Sequence, residues 1–267
     1  MAFNLNNFVI DRVRRGTMFS PSTGEVLWSI TQIKDASLSM TSESADVTDA
    51  IGSVIMKFDR SKNAEFSASN ALFDTSLAAA QFGSEKKVAG ADSKIVVPAY
   101  EKVTVENGKA LLSHVPAGTA GSEIKYIYAL NGDSTLGTRY GVEATASATA
   151  FALDAETKTI TVPTGVTGDI AVFYEYEAEE AVMLENNAED FPKAGKFVME
   201  VVGKDTCNTD KVYYAYVVFP NAKLKPDMDL SFTTDGGHPF SMTMMQNYCD
   251  PDKRLFNIYI ANGSDER

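Results

Sequence analysis

Polar and apolar residues alternate in three runs near the start of the chain. Ala36, Leu38 and Met40 interleave with Ser37, Ser39 and Thr41; Val54, Met56 and Phe58 repeat the pattern, as do Ala64, Phe66 and Ala68. A period of two marks a strand with one buried and one solvated face. Between the first two runs, Ser42–Gly52 is polar, carries Glu43, Asp46 and Asp49, and reads as a loop. Beyond the third run, Ser69 and Asn70 are good N-cap residues, and Leu72, Phe73, Leu77 and Ala80 recur at helical spacing. Gly83 is a natural C′ residue, so one helix is predicted over 70–82.

Further along, turn signals punctuate a series of short strands: Ile95–Ala99, Lys102–Val105, Ala110–His114, Lys125–Leu130, Thr159–Val162 and Asp169–Tyr176. Asn107-Gly108, Asn131-Gly132 and Thr167-Gly168-Asp169 are hairpin turn chemistry. This spacing reads as a small β-sandwich of immunoglobulin-like size, with Glu143–Ala150 as a loop or edge strand. A polar linker, Leu184–Asp190, leads back to longer strands at Gly195–Val202, Lys211–Pro220, Asp229–Thr234, Phe240–Asn247 and Leu255–Ile260. Leu230 and Phe232 alternate with Asp229, Ser231 and Thr233, while Phe240, Met242 and Met244 alternate with Ser241 and Thr243. The connection Asp235-Gly236-Gly237-His238 would close these two into a hairpin. The chain is therefore mainly β, in three blocks: 1–93, 94–188 and 189–267.

Composition adds limits. At 267 residues, one large or two modest domains are expected, and 44% hydrophobic with 22% charged residues is an ordinary globular mix. The net charge of −12 argues against a general nucleic-acid binder, which needs clustered Lys and Arg. Asp plus Glu against Lys plus Arg runs 11 to 9 in the first block, 13 to 6 in the second and 12 to 9 in the third, so most of the excess lies in the middle. Cys207 and Cys249 lack zinc or disulfide-framework spacing and read as buried reduced thiols. No stretch has the roughly 18 consecutive apolar residues of a membrane span, and the N-terminus has no signal-peptide core, so a protein made in a cytoplasm is expected.

Enzyme chemistry is sparse. The two histidines, His114 and His238, are far apart in sequence, and His238 in its Gly-rich turn reads as hydrogen-bonded rather than as a base paired with Asp235. No nucleophile elbow, zinc-binding H-E-x-x-H, phosphate loop or dinucleotide fingerprint occurs. The acidic pairs Asp227/Asp229, Asp250/Asp252 and Glu179/Glu180 lack calcium-loop spacing. Neither catalytic residues, cofactor nor metal is expected. Arg12, Arg14 and Arg15 form the one dense basic cluster and read as subunit contacts or a solvated arm.

The strands share a texture: one face apolar, the other of short Ser, Thr and Ala side chains rather than the Lys and Glu that usually guard exposed strands. With S-L-S-M-T-S-E-S (37–44), D-V-T-D-A-I-G (46–52), K-F-D-R-S-K-N-A-E-F (57–66) and L-S-F-T-T-D-G-G-H-P-F (230–240), the chain resembles the major tail tube proteins of long-tailed bacteriophages over 33–83 and 195–260. The middle block departs from the simplest members and looks like an inserted immunoglobulin-like domain, 94–188, on the exterior of a tube core made of 1–93 and 189–267. The resemblance implies a tail-tube-type β-sandwich or barrel with one short helix, self-assembling into stacked hexameric rings that conduct DNA during ejection. Its partners would be itself, tail terminator, tape measure and baseplate proteins, with DNA passing unbound and no membrane; its place would be the virion tail. It also implies a bore lined by Ser37, Ser39, Thr41, Glu65, Ser67, Asp229, Ser231, Thr233, Ser241 and Thr243, weakly negative and mostly neutral. Arg12, Arg14 and Arg15 would meet Glu43, Asp46 and Asp49 across rings. The alternative is another virion β-protein, a baseplate hub or capsid decoration subunit, whose middle block binds glycans or surfaces.

Overall fold

The computed structural model describes residues 7–262, Asp235 and Cys249 excepted. The elements in chain order are β1 (Phe8–Phe19), β2 (Val26–Ile30), β3 (Ile33–Thr48), β4 (Val54–Asn70), α1 (Thr75–Phe82), β5 (Lys87–Val88), β6 (Ile95–Thr104), β7 (Lys109–Leu111), β8 (Tyr126–Leu130) and β9 (Leu136–Val142). There follow β10 (Ala150–Asp154), β11 (Thr159–Thr161), β12 (Asp169–Ala178), β13 (Val182–Met183), β14 (Ala194–Asp205), β15 (Asn208–Leu224), β16 (His238–Met244) and β17 (Asn257–Asn262). The fold is mainly β with one helix. It divides into two compact units, one of residues 1–86 with 184–267 and one of 87–183. These divisions fall a few residues earlier than composition suggests, because the short strands β5 and β13 pair with each other and belong to the second unit.

The first unit is an eight-stranded sheet in the order β2-β1-β14-β15-β16-β4-β3, with β17 also on β15. At 17 residues, β15 is long enough to pair β17 through Tyr213–Val218 and β16 through Ala222–Leu224 along the same edge. One face of every main strand is apolar. Trp28, Met18, Phe197, Phe219, Met242 and Phe66 come from six successive strands into one cluster, which Leu77 of α1 joins. The sheet curls around this core. Where β1 crosses the start of β3, a Cβ on Gly16 would lie 2.7 Å from Ile33 Cδ1 and 2.9 Å from the Phe197 ring, so any larger residue would have to displace these core side chains. Tilted ring contacts of Phe66 with Phe197, Phe219 and Phe240 at 5.7 to 6.0 Å fill the centre.

Four sequence expectations need correction here. The helix begins at Thr75, not 70, because Asn70 is still paired in β4 and Asp74 takes the cap; its Oδ1 accepts the N–H groups of Ser76 and Leu77 at 2.9 and 2.8 Å. Gly83 ends it at φ 75°, as the sequence implies. Ser42–Gly52 is not a loop: β3 runs on to Thr48 and pairs with β4, and only a tight turn at 49–53 remains. Asp229–Thr234 forms no strand: β4 pairs along one edge of β16, β15 takes Met242–Met244 on the other, and Phe232 is 91% exposed. Cys207 sits exposed in the turn between β14 and β15; Cys249 lies outside the described residues.

The second unit has its own core of Ile127, Phe151, Ile160, Ile170 and Val172 among others. Its seven main strands follow the order β6-β12-β8-β9-β10-β11-β7. β6 runs unbroken through Pro98 and pairs with the whole of β12. β10 meets β9 in parallel at one end and β11 antiparallel at the other, which carries the path around the core. The sequence pattern does not mark β9 or β10; Gly137 and Gly141 dilute the apolar signal of the first.

Candidate assembly surface

The outer face of the first unit's sheet is polar in register. Ser37, Ser67 and Ser241 lie opposite one another on β3, β4 and β16. Ser39, Glu65, Thr243 and Lys223 form the next row, extended onto β15. Further across the sheet, the same face carries Glu200, Val198 and Lys196 of β14, Arg15 and Thr17 of β1 and Ser29 of β2. Thr17 and Ser29 share a hydroxyl hydrogen bond of 2.9 Å. Thr41 continues the face outward opposite Asn63. The structure thus brings together seven of the ten sequence-derived lining residues: Ser37, Ser39, Thr41, Glu65, Ser67, Ser241 and Thr243. Asp229, Ser231 and Thr233 are in the irregular segment after β15 and do not belong to the ladder; Ser231 and Thr233 hydrogen-bond each other there at 3.1 Å.

The charge of this face differs from an acidic lining. Glu65 is ion-paired to Lys225, and Glu200 lies 3.5 Å from Arg14. With Lys196, Lys223 and Arg15 also present, cations at least balance carboxylates. Exposed pairs of this kind contribute about 0–1 kcal/mol each, so their effect is on register and local potential rather than stability.

Beyond Ser42 and Lys62, β3 and β4 leave the core as a two-stranded arm. A bulge inverts it. Glu43 faces Ser61, but Ser44 faces Asp59, so Arg60 is the extra residue. At the root, Leu38 and Met40 share the face of Phe66 and Ala64. Past the bulge, Ala45 with Phe58 and Val47 with Met56 occupy the face that Ser39 and Thr41 hold at the root. The alternation of Val54, Met56 and Phe58, read as half-buried, is instead exposed, and Ile51 at the tip is 87% exposed. A strand pattern in sequence cannot tell a covered face from an uncovered one; the near-symmetry of Ala45, Val47 and Met56, Phe58 about Asp49–Gly52 was the available signal for a hairpin.

The charged residues proposed for subunit contact are not brought together within one chain. Arg12 pairs with its neighbour Asp11 at 2.8 Å. Arg14 donates to the Tyr214 hydroxyl at 3.1 Å and lies over that ring. Arg15 borders a shallow hollow with Lys196 and Tyr216. On the arm, Glu43 accepts from Ser61, Asp46 is 3.8 Å from Lys57, and Asp49 Oδ1 accepts the N–H groups of Ile51 and Ser53, which shapes the turn. Asp49 is therefore a turn residue first.

Neither histidine belongs to a cluster of catalytic type. His238 is fully buried, with Nε2 2.6 Å from Gln81 Oε1 and Nδ1 accepting the Asp74 N–H at 3.3 Å. His114, exposed after β7, stacks on Tyr176 with ring centres 3.9 Å apart. Among the described residues, no group of three or more His, Cys, Asp or Glu could hold a metal ion, and no helix is long and apolar enough to cross a membrane.

No curated protein matches the chain. The YomU/Tube protein family matches residues 8–251, which takes in the curled sheet apart from β17, the arm and the whole second unit. On a match of that extent, this chain belongs to the YomU/Tube protein family.

Proposed function

We propose that this chain is the structural subunit of a phage tail tube, assembling into hexameric rings that stack into a conduit for DNA during ejection. The carrying observation is the polar face of β3, β4 and β16, where Ser37, Ser67 and Ser241 form one row and Ser39, Glu65 and Thr243 the next, backed by an apolar core. On β3, β4 and β16 the short hydroxyls, with Glu65 paired to Lys225, give passing DNA little to grip. In this reading Ser37, Ser39, Thr41, Glu65, Ser67, Ser241 and Thr243 line a near-neutral bore, and edge strands β2 and β3 meet those of neighbouring subunits, removing two free edges from solvent. The arm supplies inter-ring contact through Val47, Met56 and Phe58, with Arg12, Arg14, Arg15, Glu43 and Asp46 setting register. Apolar burial repeated six times around a ring outweighs the charges.

The second unit would then be an immunoglobulin-like module on the tube exterior. It carries 13 acidic against 7 basic side chains, half of the −12 net charge, which outside the tube lies beyond the roughly 8 Å over which charges act at physiological salt. Partners would be further copies of the chain, the tail terminator, the tape measure and the baseplate, in the virion tail and with no enzymatic role.

Site-specific labelling tests the lining. In a Cys207→Ser, Cys249→Ser background, Ser39→Cys or Thr243→Cys should react with a small maleimide in assembled tubes yet resist one bearing a long polymer. Equal reactivity towards the polymer reagent before and after assembly would place this face outside the bore.

A further inference from the structure

Antiparallel sheets often leave one face to solvent, and small or charged side chains usually cover it. The outer face of β6-β12-β8-β9 in the second unit is covered instead by rings. Tyr100 on β6 lies opposite Phe173 on β12, with centroids 4.9 Å apart, and Tyr128 on β8 meets Phe173 edge-on at 6.2 Å. Tyr126 on β8 stands on the same face with the Arg139 guanidinium 4.5 Å from its centre. Tyr100, Phe173 and Tyr126 are 57%, 49% and 45% exposed, so each keeps ring surface free. Ala171 is buried between Lys102 and Tyr128, but opposite Tyr126 a Cβ on Gly141 would meet nothing within 4 Å. The open part is a shallow trough over Gly141, beside the aromatic rings.

The surroundings narrow the occupant. Lys102 is held by Asp169 at 2.9 Å, while Glu175 and Glu177 stand exposed on β12 along the same face, so an anion such as nucleic acid or a lipid headgroup is disfavoured. A peptide adding to the sheet edge would meet Pro98 in the middle of edge strand β6, which offers no N–H. A protein partner needs about 800 Å² per side, whereas three half-exposed aromatics supply on the order of 300 Å². A pyranose chain fits that area. Its axial C–H faces stack on rings, and its equatorial hydroxyls find the Tyr hydroxyls, Arg139 and Glu175.

We propose that this face binds a neutral polysaccharide of β-linked pyranose units. The proposal stands apart from ring assembly, and its test uses the full chain before assembly, so neither reading decides the other. Cellohexaose and chitohexaose would be titrated by calorimetry against the wild type, Phe173→Ala and Gly141→Gln, with melting curves for each. The expected result is saturable binding of at least one oligomer, weakened on the order of tenfold by Phe173→Ala. Gly141→Gln, which fills the trough and removes no ring, should weaken binding with the melting temperature unchanged. Absence of saturable binding of both oligomers at millimolar concentration would overturn the proposal, as would wild-type affinity in both variants or stronger binding of dextran sulfate.

Discussion

His238 fastens the single helix to the sheet. Its ring is fully buried against Phe73 at 5.1 Å, accepts the Asp74 N–H through Nδ1, and donates through Nε2 to Gln81, whose own amide donates to the Pro239 carbonyl. Only the neutral Nε2–H tautomer satisfies both contacts. Burial holds the ring's pKa below its ordinary 6.5, and the nearby Asp74 carboxylate offsets this only in part. The unfolded chain therefore binds this proton more readily than the folded one, so stability is full above pH 6.5 and is lost as pH falls towards the folded value. Melting curves between pH 7 and 5 should show a decline in the wild type that is shallower in His238→Gln. At neutral pH, His238→Ala should cost about 1–3 kcal/mol by leaving buried partners unpaired. The carboxylates of Asp154, Asp169 and Asp250, each held low first of all by side-chain hydrogen bonds, act below the ordinary carboxylate value of 3.8 and leave this window clear.

At the scale of elements, α1 and the arm behave oppositely. Asp74→Ala removes a cap that serves two N–H groups and should lower stability by about 1 kcal/mol in denaturant titration. Met56→Asp with Phe58→Asp alters residues that touch solvent in the single chain, and should change subunit stability by no more than about 0.5 kcal/mol. Tube growth followed by light scattering should nonetheless fail; tubes of normal length would remove the arm from the assembly contacts. These two elements also show what the sequence made legible. The alternations around Leu38 and Phe66 gave the right strands, because a strand's period is local; the face of Ala64, Phe66 and Ala68 is buried, whereas beside Leu38 both Ala36 and Met40 are exposed. The same period at Val54–Phe58 misled, since Arg60 is a bulge and the face beyond it has no neighbour in the chain. The 229–234 alternation failed for a non-local reason: β15 takes the Met242–Met244 part of the β16 edge that a hairpin partner would need. Asp74 was overlooked as the cap because Asn70, an equally good candidate by type, is already used by the sheet. On the polar face, local alternation marks Ser39 and Thr243 but not Thr17, Ser29 or Lys223, which only the strand order places on that side of the sheet.

For the molecule as a whole, the curled sheet and the second unit carry separate tasks in the proposed function. The first unit closes on itself where the other departs: Ser84 Oγ donates to the Glu185 carbonyl at 2.6 Å, and β5 pairs with β13 within the second unit. Replacing residues 87–183 by a short Gly/Ser linker should therefore leave a folded, tube-forming core that has lost oligosaccharide binding; an unfolded product by circular dichroism would contradict this. The central claim is a tube lined by the polar ladder, and cryo-electron microscopy of the purified chain over a concentration series tests it most directly. The account expects stacked six-membered rings with Ser39, Ser67 and Thr243 facing the bore and the arm reaching the adjacent ring. A strictly monomeric species at the highest concentration, even with tail terminator and baseplate proteins added to nucleate growth, or a bore lined by residues 87–183, would contradict it.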